Sequence, residues 1–168
     1  GDDAETERRV AWRTQTDVTS SVAQIVLAGD DIDWSAIARI DGSSYIQESN
    51  RGPYSTHEAA FNGLTPGDSY TYRVGDGTAV GWSDTYTFRV PALDEPLVVV
   101  VLGDSRTRAD VWDDVVHAAA AHNPTFIVNS GDLISDGDDM NDWNEWFERA
   151  KDVFPSIALM PVLGNHER

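Results

Sequence analysis

The sequence predicts a multidomain β + α/β chain, an all-β sandwich followed by the first β-α-β-α-β half of an α/β sandwich. Three observations carry this. Residues 8 to about 91 alternate apolar and polar positions between turn signals, the period-two pattern of half-buried strands. From Leu97 onward, short continuous apolar runs alternate with stretches of helical period, the grammar of parallel β-α-β units. Between the two lies a short acidic stretch ending in Pro96, with no periodicity. The expected boundaries are 1–91 for the sandwich, 92–96 for the linker and 97–168 for the α/β part.

In the first half, Val10, Trp12 and Thr14 form one face of a strand, as do Tyr70, Tyr72 and Val74, and Tyr86, Phe88 and Val90. Val22–Ala28, Ala36–Ile40, Tyr45–Glu48 and Glu58–Phe61 are the remaining strand candidates. Turns are expected at Asp41-Gly42, Asn62-Gly63, Pro66-Gly67 and Gly75-Asp76-Gly77. The aromatic residues are expected to pack in the core rather than form a sugar-stacking platform. One strand is missing before Val10, and the chain starts without Met or a leader, which points to a partial sequence.

In the second half, Leu97–Leu102 reads as a strand covered on both faces. Ala109–Ala121 is a helix whose Val111, Val115, Val116 and Ala119 share a face, stopped by Asn123-Pro124. Phe126–Val128 is the second strand. Asn141–Phe154 is the second helix, with Trp143, Trp146, Phe147 and Ala150 on one side. Ile157–Leu163 is the third strand.

Composition narrows the function. A formal charge of −17 and a single lysine beside 11 arginines leave no basic patch for nucleic acid. The absence of cysteine excludes disulfides and thiolate metal sites. No apolar run is long enough to span a membrane.

Each strand of the second half runs into a polar cluster: Gly103-Asp104-Ser105-Arg106, Gly131-Asp132-Leu133-Ile134-Ser135-Asp136-Gly137 and Gly164-Asn165-His166-Glu167. Asp104 and Asp132 are 28 residues apart and Asp132 and Asn165 are 33 apart, each about one β-α-β unit. Right-handed crossovers therefore bring all three to one edge of a parallel sheet, where open α/β sheets bind ligands. Two carboxylates and a carboxamide are hard oxygen donors suited to divalent cations. A cation pair there would activate water and clamp a phosphate.

The ordered triplet GD, GDxxxxG and GNHE resembles the calcineurin-like metallophosphoesterase family. The segment Leu64–Gly75, with Tyr70 at the position of a tyrosine corner, is similar to the fibronectin type III signature. A fibronectin III-like β-sandwich before such a domain resembles the purple-acid-phosphatase branch. The resemblance implies hydrolysis of a small phosphate ester with two divalent or trivalent metal ions (Fe, Zn or Mn), in an extracellular or periplasmic protein. It implies Asp104 on the first metal, Asp132 bridging both and Asn165 on the second. His166 is implied beside the phosphate, supported by Glu167.

Two departures bear on the branch. Arg106 stands where the family's commoner Asp-x-His motif has its histidine; it either forks onto a phosphate oxygen or pairs with nearby carboxylates. Ser135 stands where the purple enzymes place a tyrosine, so their charge-transfer iron site is not supported. His57, His117 and His122 match no ligand motif and are expected at the surface. The family's further histidine ligands lie beyond Arg168, so the isolated chain is expected to bind metal weakly and turn over poorly. Asp136, Asp138, Asp139 and Asp142 fail the EF-hand pattern and read as a solvated loop. Two rivals remain: a GDS-type serine esterase with Ser105 as nucleophile, and a non-catalytic β module joined to a degenerate remnant.

Overall fold

A computed structural model describes residue 3 and residues 5–168, and divides into two compact units, Gly1–Glu48 with Gly52–Glu95, and Ser49–Arg51 with Pro96–Arg168. Among the described residues the first unit has seven strands: β1 (Arg8–Thr14), β2 (Val22–Leu27), β3 (Ile40–Asp41), β4 (Ser43–Gln47), β5 (Tyr54–Phe61), β6 (Ser69–Gly75) and β7 (Tyr86–Arg89). They form two antiparallel sheets, ordered β1-β5-β4 and β3-β2-β6-β7. The alternation along β5 places Ser55, His57, Ala59 and Phe61 inside and their neighbours outside. Phe61, Tyr72, Val74 and Val90 meet in the core between the sheets.

The Tyr70 phenol accepts the Thr65 backbone N–H at 2.9 Å, tying the turn to the strand as its position predicts. Ala36–Ile40 is not a strand. A turn ends at Ala36 and the next three residues are irregular, with the Gln24 side chain taking the carbonyls of Trp34 (3.0 Å) and Ile37 (2.6 Å), so only Ile40 pairs. Nor are all the aromatics core residues: Trp34 and Trp82 are half-buried and hold the Arg73 guanidinium at 4.6 and 4.2 Å from their ring centres.

His57 is fully buried, contrary to the surface position expected. Period two from Phe61 points it inward, and two hydroxyls satisfy its ring. Thr14 Oγ1 donates its proton to the Gln15 carbonyl (3.0 Å), so it accepts from His57 Nε2–H at 2.7 Å. His57 Nδ1 then accepts from Ser21 Oγ–H at 2.7 Å. Trp12 stacks on the ring at 5.2 Å.

The second unit has β8 (Val99–Leu102), α1 (Ala109–Ala120), β9 (Phe126–Asn129), α2 (Met140–Arg149) and β10 (Ala158–Pro161). The three strands are parallel in the order β10-β9-β8, so β9 is central. Its core joins Ile127 of β9 to Trp112, Val116 and Ala119 of α1 and to Trp146 and Ala150.

Three expectations change here. The first strand is covered on one face only: Val100 and Leu102 pack on the core, while Val99 and Val101 are exposed. The buried stripe of α1 runs through Trp112 rather than Val111 and Val115, because the large indole spans to α2 and the valines flank it. The second helix ends at Arg149. Ala150 leaves helical geometry at φ −107° and ψ 9°, and successive turns carry the chain to Ile157. Phe147, placed on the apolar side of this helix by the sequence, is exposed.

Candidate metal centre

The three polar clusters lie at the C-terminal ends of the three neighbouring parallel strands. Backbone bonds knit their loops: Ser130 N–H to Leu102 O at 2.9 Å, Asp104 N–H to Gly131 O at 3.0 Å and Val162 N–H to Asn129 O at 2.9 Å. Asp104 and Asp132 both adopt left-handed backbone, each at φ 53°, a conformation aspartate tolerates better than most residues. Such strain, repeated at two adjacent strand ends, is typical of functional loops. Gly131, at φ 107°, begins the second turn. A Cβ at Gly164 would collide with the Asp132 side chain, so only glycine lets the third loop approach.

Glu167 locks the second and third loops together. Its carboxylate accepts the N–H of Gly164 at 2.7 Å, of Asp132 at 3.1 Å and of Ile134 at 3.1 Å. It therefore buttresses the backbone that carries Asp132 and Asn165. The expected support of His166 falls elsewhere, because three converging N–H donors are better partners for a carboxylate. His166 instead donates Nδ1–H to the Ser135 carbonyl at 2.7 Å, which turns its Nε2 lone pair toward Arg106. The His166 backbone N–H points at Asp132 Oδ1 at 3.3 Å.

Arg106 is an ion-pair residue in this structure. Its Nε bonds Asp104 Oδ1 at 2.7 Å and lies 3.9 Å from Asp132 Oδ2, while Nη1 meets His166 Nε2. The hydrogen bond it donates to Asp104 raises the guanidinium pKa further, so it stays charged at every working pH. Beside it opens a cleft of about 180 Å³ floored by Trp112 and Trp146 and edged by Ser135, Asp142 and Glu145.

Ser105 has no activating base. Its hydroxyl accepts from Trp146 Nε1–H at 2.9 Å and gives its proton to the Leu133 carbonyl at 3.1 Å. His117 and His122 are exposed on and after α1, as expected. Asp136 and Asp138 are exposed, but Asp139 caps α2 by accepting the Asn141 N–H at 2.9 Å.

The donor chemistry fits a hard cation: Asp104, Asp132 and Asn165 offer oxygens from three adjacent loops. Their number makes a partial set. Among the described residues no group of three or more His, Cys, Asp or Glu side chains is gathered tightly enough to hold an ion.

Residues 1–90 match the family of the purple acid phosphatase N-terminal domain, and residues 97–168 match calcineurin-like phosphoesterase. The chain belongs to the purple acid phosphatase N-terminal domain family. The solved purple acid phosphatase PPD1 from yellow lupin (Lupinus luteus) seeds has the same fold, with a TM-score of 0.79 at 16% identity over 97% of this chain and 34% of that one. The chain thus spans about a third of that structure's length. A structure of the vertebrate protein Astrotactin-2 aligns over 70% of this chain and 23% of its own at a TM-score of 0.38 and 16% identity, too low to bear on the fold. No curated protein matches. Among the described residues no helix is long and apolar enough to cross a membrane.

Proposed function

We propose that the complete protein is a metal-dependent hydrolase of small phosphate esters, acting outside the cytoplasm as an extracellular or periplasmic enzyme. The observation that carries this reading is the convergence of Asp104, Asp132 and Asn165 on one edge of the β10-β9-β8 sheet, with both aspartates in left-handed turns. It is supported by the calcineurin-like match over residues 97–168.

In this reading Asp104, Asp132 and Asn165 hold two cations, drawn from Fe, Zn and Mn. When bound, the cations supply Lewis-acid charge to the phosphate and acidify water. The chain's own residues do the rest. Arg106, charged throughout, offers N–H donors to phosphate oxygens once its bond to Asp104 is exchanged. His166 is fixed by Ser135 with its Nε2 lone pair toward the same space, so it takes up a proton there and can then pass it on. Glu167 keeps the second and third loops in register. The cleft beside Arg106 receives part of the ester group.

The deciding experiment is hydrolysis of p-nitrophenyl phosphate by the complete protein, stripped of metal and then supplied with Mn, Zn or Fe. Activity should return with metal and vanish in Asp132→Asn. Metal-independent turnover together with covalent labelling of Ser105 by a fluorophosphonate would establish the serine esterase instead. No hydrolysis under any metal would leave a non-catalytic module.

A further inference from the structure

We propose that Ser105 is a positioning residue of the metal centre, its hydroxyl clamping the Asp104 loop to the Asp132 loop and tying both to α2. This rests on the metal-dependent reading above. The Asp104 side chain is 70% exposed and is held by the Arg106 guanidinium at 2.7 Å rather than by packing, so the backbone that carries it sets where the carboxylate can reach. On one side that backbone is fixed by the Asp104 N–H on Gly131 O. On the other side the next residue, Ser105, donates to the carbonyl of Leu133, which follows Asp132. One hydroxyl therefore joins the residues immediately after two candidate ligands.

The clamp is anchored in the core. Trp146 is 3% exposed and donates its only side-chain N–H to Ser105 Oγ at 2.9 Å. Its ring stacks on Trp112 at 5.0 Å with an interplanar angle of 8°, and Trp112 Nε1–H bonds the Trp146 carbonyl at 3.0 Å. A serine hydroxyl has one proton to give. Here it is spent on a carbonyl while the oxygen accepts from an indole, so the group is satisfied by position alone. Nothing in this arrangement raises its nucleophilicity.

The test is Mn²⁺ titration of the 168-residue chain, followed by electron paramagnetic resonance, with thermal unfolding measured in parallel. Ser105→Ala and Trp146→Phe should each weaken Mn²⁺ binding by about tenfold, the scale of lost support behind a ligand. Ser105→Thr, which keeps the hydroxyl, should recover most of the affinity. A merely structural role predicts a lower unfolding midpoint with an unchanged dissociation constant. Affinity within twofold of wild type in Ser105→Ala, while Asp132→Asn loses binding, would overturn the clamp and spare the metal reading. Equal binding by wild type and Asp132→Asn would overturn Asp132 as a ligand, and no binding by either would reflect the partial ligand set of this chain. In that case a metal-free measurement still decides the clamp. Hydrogen exchange at the Asp104 amide should speed up about tenfold in Ser105→Ala, and an unchanged rate refutes the proposal.

Discussion

The carboxylate of Glu167 reaches back across the third loop to accept the backbone N–H of Asp132 at 3.1 Å. The same side chain takes Gly164 and Ile134, so one residue organises the two loops that carry Asp132 and Asn165. Glu167→Gln offers these three donors a single neutral oxygen and turns its own NH₂ toward them. Hydrogen bonds to a charged group contribute about 1.5–3 kcal/mol each, and leaving donors unpaired adds to the loss. The expected result is a destabilisation of about 2–3 kcal/mol, with a thermal midpoint several degrees lower. Calorimetry of the wild type and variant checks it; an unchanged midpoint would show that the three bonds are incidental.

Arg106 occupies the space between the two candidate carboxylates, bonding one at 2.7 Å and lying 3.9 Å from the other. It competes with any cation there and attracts any anion. Arg106→Gln should therefore tighten Mn²⁺ binding several-fold while weakening inhibition of the complete enzyme by inorganic phosphate about tenfold, the worth of one charge-assisted contact. Opposite signs in the two titrations are the signature. A fall in both affinities would instead make the guanidinium a structural ion pair on which the site depends.

The features legible in the sequence are those fixed by local pattern. Leu64 to Tyr70 announces the tyrosine corner because donor and acceptor lie five residues apart. That the loops carrying Asp104, Asp132 and Asn165 follow adjacent parallel strands is legible because β-α-β spacing alone brings strand ends together. What stayed hidden depends on distant partners. Glu167 meets an amide 35 residues away, and nothing in its neighbourhood distinguishes that partner from His166. A continuous run such as Leu97 to Leu102 does not say which face will be covered, and Val99 and Val101 are exposed. Ala36 to Ile40 has the composition of a strand, but the Gln24 side chain takes the Ile37 carbonyl within it and the Trp34 carbonyl just before it. His57 carried an inward-pointing period that was readable from Phe61, yet its hydroxyl partners come from residues 14 and 21.

Tyr70→Phe removes one hydroxyl and leaves the ring stacked on Phe88 at 6.0 Å. The Thr65 N–H loses its acceptor, and because Thr65 is exposed water replaces part of the bond. A cost of about 1 kcal/mol is expected in the stability of the first unit. Urea denaturation checks it, with an unchanged slope expected because no additional surface is exposed.

His57 gives the first unit an acid sensitivity of defined sign. Burial lowers its pKa below the ordinary value of about 6.5, so the neutral ring belongs to the folded state. The hydroxyl pattern agrees: Thr14 can only accept from Nε2–H, and the bond as drawn needs Nδ1 unprotonated to receive the Ser21 hydroxyl. Between the depressed folded value and 6.5 the unfolded chain binds more protons than the folded one. Stability therefore rises with pH across that window, by no more than about 1.4 kcal/mol per pH unit. It is fully present above 6.5 and lost as pH falls toward the folded value. His57→Gln removes the titration, so its urea midpoint should be lower at pH 7.5 yet change less than the wild type's between pH 7.5 and 5. Parallel declines of the two proteins over that interval would show that the histidine does not titrate in the fold, and that carboxylates alone set the acid limit.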